Sequence, residues 1–132
     1  LVPIHELTHL AGYGVNWLSP RLLTGIWPSH GTWYVVYDAP LRRERVLMML
    51  LAPFFLWTIV PLFVAATTSS VWSGALCYLA SMHAALSVGD LATAWRILVQ
   101  VPRGAAIRNQ GWETYWRDEP FDLPFSTTSS DP

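Results

Sequence analysis

Residues 46–66 read VLMMLLAPFFLWTIVPLFVAA, 21 positions without a charged side chain. No other stretch restricts the fold as strongly, because about 20 apolar residues in helical form cross the hydrocarbon core of a bilayer. Pro53 and Pro61 would kink such a helix or end it early in water, whereas in a membrane bundle neighbouring groups can satisfy the freed carbonyls. Composition agrees: 13% of the chain is charged and 52% is apolar, with eight tryptophans, against about 25% charged residues in a soluble domain. The solvent expected for this chain is lipid.

Two further spans are expected. Residues 71–88, VWSGALCYLASMHAALSV, are rich in Gly, Ala and Ser, which lets transmembrane backbones approach closely. The amphipathic continuation DLATAWRILVQV would carry this helix to the interface, where Trp95 and Arg96 would anchor it. Residues 1–17 read as the last turns of a first membrane helix that begins, apolar and without a methionine, at Leu1, as if its upstream part were missing; Asn16, Ser19 and Pro20 mark its end. HGTWYVVYDAP favours a short strand or hairpin, either a packing element or an edge on which an extended peptide could add as a strand. Pro40 is then placed to open the second helix. Trp17, Trp27, Trp33 and Trp95 fit interfacial anchoring. From residue 111 the chain turns acidic and holds three of the ten prolines; disorder is expected at least from Ser126. The division is a membrane-embedded domain over 1–110 and a largely disordered tail over 111–132.

All eight basic residues are arginine and the net charge is -1, so no general basic field for nucleic acid exists. A lone cysteine, Cys77, excludes an internal disulfide. Arg42, Arg43 and Arg45 precede the second expected span, and Arg96, Arg103, Arg108 and Arg117 follow the third. The positive-inside rule puts both groups in the cytoplasm, with headgroup contact as their further role. The C-terminal end of the first helix and Asp90 then lie on one side of the membrane.

Within the opening helix stands HELTH, residues 5–9. In H-E-x-x-H the two histidines lie one turn apart on one helix face, so both imidazoles can reach one zinc ion, and Glu6 is placed to take a proton from an activated water. Ionisable side chains in a membrane-depth helix are costly and point to function. A third ligand must come from elsewhere: Asp90, His83, His30 and Asp38 are the candidates. His83 and Asp90 share a helix face but are separated by about 10 Å of rise, so they cannot both bind one metal. Asp90 is the stronger ligand candidate, against a capping or interface role. His83 fits better as a buried histidine hydrogen-bonded to a neighbouring helix, a support for a ligand or an oxyanion donor. His30, before Gly31, is expected to be solvated.

HELTH, the proline-containing LAPFFLWTIVPL and SVGDLATAWRILVQVPRGAAIRN, in this order, resemble the intramembrane zinc metalloproteases of the site-2 protease type, and in particular their small zincin-peptidase branch of unassigned function. The resemblance implies His5 and His9 as zinc ligands, Asp90 as the third ligand, Glu6 as catalytic base, and a site near the cytoplasmic face that opens to a membrane-embedded substrate. Members of that group carry an Asn-Pro element and Leu-Asp-Gly at the third ligand, where this chain has Gly89-Asp90-Leu91, and no PDZ-like insertion is present.

The expectation is thus an all-α integral membrane protein with about three transmembrane helices, a short cytoplasmic β-hairpin or strand, and a zinc-dependent HExxH endopeptidase site acting on membrane-protein or peptide substrates. Two alternatives stand beside it. One is a non-catalytic metal-binding scaffold or partner-binding protein derived from the protease fold. The other is an iron-dependent membrane oxygenase, disfavoured because its histidine-rich boxes need more than the four histidines present.

Overall fold

The computed structural model describes residues 1–14, 18–27, 32–68, 71–110 and 113–118. Helix α1 spans Val2–Tyr13, with Pro3 in its first turn, where a missing N–H costs nothing. It ends at Gly14, whose φ of 59° is left-handed and whose N–H bonds to the Ala11 carbonyl. A side chain at position 14 would also run into the guanidinium of Arg45. That guanidinium donates from Nε to the Tyr13 carbonyl at 3.1 Å, satisfying a carbonyl that a helix end leaves without an intrahelical partner.

Helix α2 is Arg43–Thr67, 25 residues long, with Phe55–Ile59 wound as a π-helix just after Pro53. It lies against α1 at close range: a Cβ on Gly12 would stand 3.1 Å from the Cα of Met49. Helix α3 (Ser73–Leu86) and helix α4 (Val88–Gln100) follow. Their axes differ by 51°. The break is at Ser87, with φ −81° and ψ 0°, although Ser87 N–H still bonds to the His83 carbonyl and Leu91 N–H to that of Ser87. These two bonds carry the backbone through the change of direction.

Strands β1 (Leu22–Trp27) and β2 (Thr32–Tyr37) form an antiparallel hairpin in the register Leu22↔Tyr37 to Trp27↔Thr32. Strands β3 (Leu41–Arg42), β4 (Ala106–Gln110) and β5 (Glu113–Arg117) form a second antiparallel sheet with β4 central. Asp38 Oδ1 accepts from Arg108 Nη2 at 2.7 Å and from Nε at 3.1 Å, tying the two sheets together. The core gathers Tyr13, Val46, Met49, Leu50, Ala94, Ile97, Val101, Ala105 and Ile107, with Leu22, Val35, Tyr37 and Leu41 packed on it. It therefore lies where the end of α1, the start of α2 and α4 come together, with side chains of both sheets packed on it.

Beyond this core the distal half of α2 and the outer face of α3 are apolar and uncovered, with Phe55 55%, Phe63 68% and Tyr78 65% exposed. Among the described residues α2 is one helix long and apolar enough to cross a membrane, and the bent pair of α3 and α4 passes the same test only if taken as a single broken span or re-entrant loop. The expected all-α architecture with three spans is overturned. Among the described residues, five strands in two sheets accompany the helices. α3 extends for about 21 Å at 1.5 Å per residue, short of the roughly 30 Å hydrocarbon core. The expected third span is broken at Ser87.

Other expectations change locally. Pro40 precedes β3 rather than opening a helix, and α2 starts at Arg43. Arg43 and Arg45 hold the fold: Arg43 is buried and donates from Nη2 to the Leu98 carbonyl at 3.3 Å. The first part of the tail is strand β5. Residues 119–132, Asn16, Trp17, His30 and Gly31 lie outside the described residues, as do the side chains of Trp27 and Trp33.

The contact at Gly12 yields a prediction. Gly12→Leu forces α1 away from α2 and should lower stability by about 1–3 kcal/mol, the usual cost of overpacking, with Gly12→Ala milder. Thermal unfolding in detergent checks this; an unchanged transition for the leucine variant would contradict the close approach.

Candidate metal centre

α1 presents His5 and His9 on its inner face, both buried, while Glu6 is half-buried one residue further round the helix. The 51° bend at Ser87 turns the first turn of α4 inward and brings Asp90 to them. His5 Nε2 stands 2.9 Å and His9 Nε2 3.3 Å from Asp90 Oδ2, and the two Nε2 atoms are 3.0 Å apart. These three atoms make a compact triangle, and the three side chains form a group able to hold a metal ion.

The protonation pattern follows from the partners behind the rings. His9 Nδ1 lies 3.0 Å from the Met49 carbonyl oxygen, which can only accept, so Nδ1 carries the proton and a neutral His9 presents a bare lone pair at Nε2. The carbonyl is available for a physical reason. Met49 stands four residues before Pro53, and proline has no N–H to return the usual helical bond. Pro53 thereby frees the acceptor that orients His9.

His5 Nδ1 faces His83 Nε2 at 3.1 Å. His83, 1% exposed, in turn faces Thr58 Oγ1 at 3.0 Å and Ser87 Oγ at 3.3 Å through its Nδ1. Thr58 belongs to the π-wound part of α2, a local geometry that often marks functional sites. From the same stretch Trp57 Nε1 donates to Thr8 Oγ1 at 2.9 Å, fixing the HELTH turn from outside.

Asp90 Oδ2 is buried and, among the described residues, has no hydrogen bond of acceptable geometry; its neighbours at ion-pair distance are the two ring nitrogens. A buried carboxylate oxygen beside two imidazole nitrogens is the donor set of a divalent cation, and two nitrogens with one oxygen suit zinc. Three such ligands at about 2.0–2.1 Å from a tetrahedral centre stand about 3.3 Å apart, close to the observed triangle. The donors fit the ion.

Glu6 is displaced from the triangle but within its field. Burial pushes its carboxyl above the usual carboxylate range, with His9 and His5 pulling it down in part and Asp90 raising it further. A carboxylate moved toward neutrality is a better general base at physiological pH.

Of the residues singled out in the sequence, His5, His9 and Asp90 converge, and Glu6 borders them. His83 stands behind His5 and is not in the triangle. Asp38 pairs with Arg108 at the sheet junction. Met49, Trp57, Thr58 and Ser87 were not singled out. Pro53 could have revealed the free Met49 carbonyl, but nothing in the spacing of Thr58 or Ser87 marks them.

No curated protein and no solved structure matches the chain. A family match covers residues 1–106 and so takes in α1, α2, the α3–α4 pair and every member of the triangle. The chain therefore belongs to the family described as "Putative zincin peptidase".

Proposed function

We propose that this chain is a membrane-embedded zinc endopeptidase of the HExxH, site-2 protease type, with His5, His9 and Asp90 holding the metal and Glu6 as catalytic base. One observation carries the reading: three ligand atoms from two helices distant in sequence meet within 3.3 Å of one another, one of them an orphaned buried oxygen. When bound, zinc brings the pKa of a water to about 7 and polarises a peptide carbonyl.

The protein's own groups do the rest. His5 and His9 bind through Nε2 and Asp90 through Oδ2. The Glu6 carboxylate takes a proton from the attacking water and returns it to the departing amide nitrogen. The β1–β2 hairpin packs beside α1, with Tyr13 Oη donating to the Val35 carbonyl at 3.4 Å. That hairpin offers an edge on which an extended substrate segment could add as a strand.

The uncovered apolar surface of α2 and α3 supports placement in a membrane, since contiguous exposed apolar area of this kind is avoided in water. Bilayer contact along α2, with the arginines of the α2 start on the cytoplasmic side, supports a site near that face. The substrate class is then a membrane protein or a peptide at the membrane.

A second reading, a non-catalytic scaffold, draws on the same distances: 2.9 Å between His5 and Asp90 is also what a metal-free imidazolium–carboxylate pair gives.

Elemental analysis of detergent-purified protein separates the peptidase from a metal-free scaffold, and peptide cleavage separates it from a metal-binding one. The peptidase reading expects near-stoichiometric zinc in the wild type and its loss in Asp90→Ala; a folded, zinc-free wild type leaves only the scaffold. Glu6→Gln should lower peptide cleavage by about 10²–10⁴-fold while zinc stays bound. Cleavage by Glu6→Gln at the wild-type rate would remove Glu6 from the mechanism.

A further inference from the structure

His83 is the one histidine of the cluster that the proposed reaction leaves without a task, yet it is among the most completely buried side chains. Burying an imidazole costs free energy unless both ring nitrogens are hydrogen-bonded, and here both are. Nε2 faces His5 Nδ1 at 3.1 Å, and Nδ1 faces two hydroxyls at 3.0 and 3.3 Å.

The partners allow two directions for this chain of bonds. In one, His5 Nδ1–H donates to His83 Nε2, and His83 Nδ1–H donates to Thr58 Oγ1 or Ser87 Oγ. His5 then presents a bare Nε2 to the metal position, as His9 does. In the other, a hydroxyl donates to His83 Nδ1 and His83 Nε2–H donates to His5 Nδ1. His5 Nε2 then carries a proton, which points at Asp90 Oδ2 and occupies the ligand position. Hydroxyls serve as donor or acceptor, so Thr58 and Ser87 accommodate either direction. Only the first is compatible with a metal on neutral His5.

We infer that His83 is a positioning residue that selects the metal-binding tautomer of His5 by accepting its Nδ1 proton, and that Thr58 and Ser87 hold His83 in the orientation to do so. The inference rests on the zinc-site reading. Each support comes from a distinct local device: the π-wound stretch supplies Thr58, and the break between α3 and α4 supplies Ser87. The break that delivers Asp90 to the metal position thus also delivers an acceptor for His83. His5 is held through a neighbouring imidazole, whereas His9 is held by a backbone carbonyl.

The test is zinc affinity of the full chain in detergent, measured by competition with a chromophoric chelator, together with ¹⁵N spectra of histidine-labelled zinc-loaded protein. His83→Leu, which cannot accept, should bind zinc about 10- to 100-fold more weakly, the usual loss when a partner behind a ligand is removed. His83→Gln, whose amide oxygen can accept from His5 and whose amide nitrogen can donate to Thr58, should recover most of that loss; space filling alone would not distinguish it from leucine. In the wild-type spectrum the His83 proton should reside on Nδ1.

Zinc binding by His83→Leu at wild-type strength, or a His83 proton on Nε2 in the loaded protein, overturns the inference even where the metal site stands. Should His83→Leu fail to fold, the wild-type spectrum decides. A wild type that takes up no zinc removes the metal-site reading itself, and the inference with it. Neither readout uses peptide cleavage, so an inactive peptidase would leave the result unaffected.

Discussion

The bond from His9 Nδ1 to the Met49 carbonyl is the constraint on which the rest of the site depends. It joins α1 to α2 at the level of the triangle and fixes which nitrogen of His9 carries a proton. It also requires that the two helices approach closely enough for a glycine, Gly12, to face the Met49 backbone. Pro53 leaves that carbonyl without its helical donor, so the bond exchanges an unsatisfied acceptor for an interhelical contact. In an apolar surrounding, where a lone acceptor is costly, this is a strong reason for α1 to sit where it does.

From that anchor the chain builds outward in two directions. On one side the small core of Tyr13, Val46, Met49, Ile97 and Ile107 joins α1, α2, α4 and the three-stranded sheet, with Arg43 and Arg45 bonding helix-end carbonyls across the junction. On the other side the polar cluster His5, His83, Thr58 and Ser87 replaces apolar packing by hydrogen bonds between α1, α2 and α3. A fully satisfied buried network of this kind specifies a geometry more sharply than apolar contact does. The triangle lies next to both and inherits its precision from them.

Bending matters as much as packing. Had α3 and α4 run as one straight helix, His83 and Asp90 would be displaced by about 10 Å along its axis. The 51° break at Ser87 lets His83 support His5 from behind while Asp90 reaches the front of the same imidazole. The cost is a helix pair that no longer makes a simple span, which is why the expectation of a third membrane span fails where the site is built.

HELTH, read alone, already determined that two imidazoles share one helix face with a carboxylate beside them, because the 3.6-residue period leaves no alternative once the segment is helical. The uncharged run containing Pro53 and Pro61 likewise determined a long apolar helix, and the β-branched and aromatic TWYVVY a strand. What only the tertiary structure decided is which distant residues complete the group. Asp90 was the favoured of four candidates, and its convergence on His5 and His9 depends on the bend at Ser87. Thr58 and Ser87 have no sequence signature for their role, since a hydroxyl acts here only through the orientation that a π-turn and a helix break impose. β1, β3, β4 and β5 escaped for a related reason: their pairing comes from partners elsewhere in the chain, and strand propensity depends on such partners far more than helix propensity does.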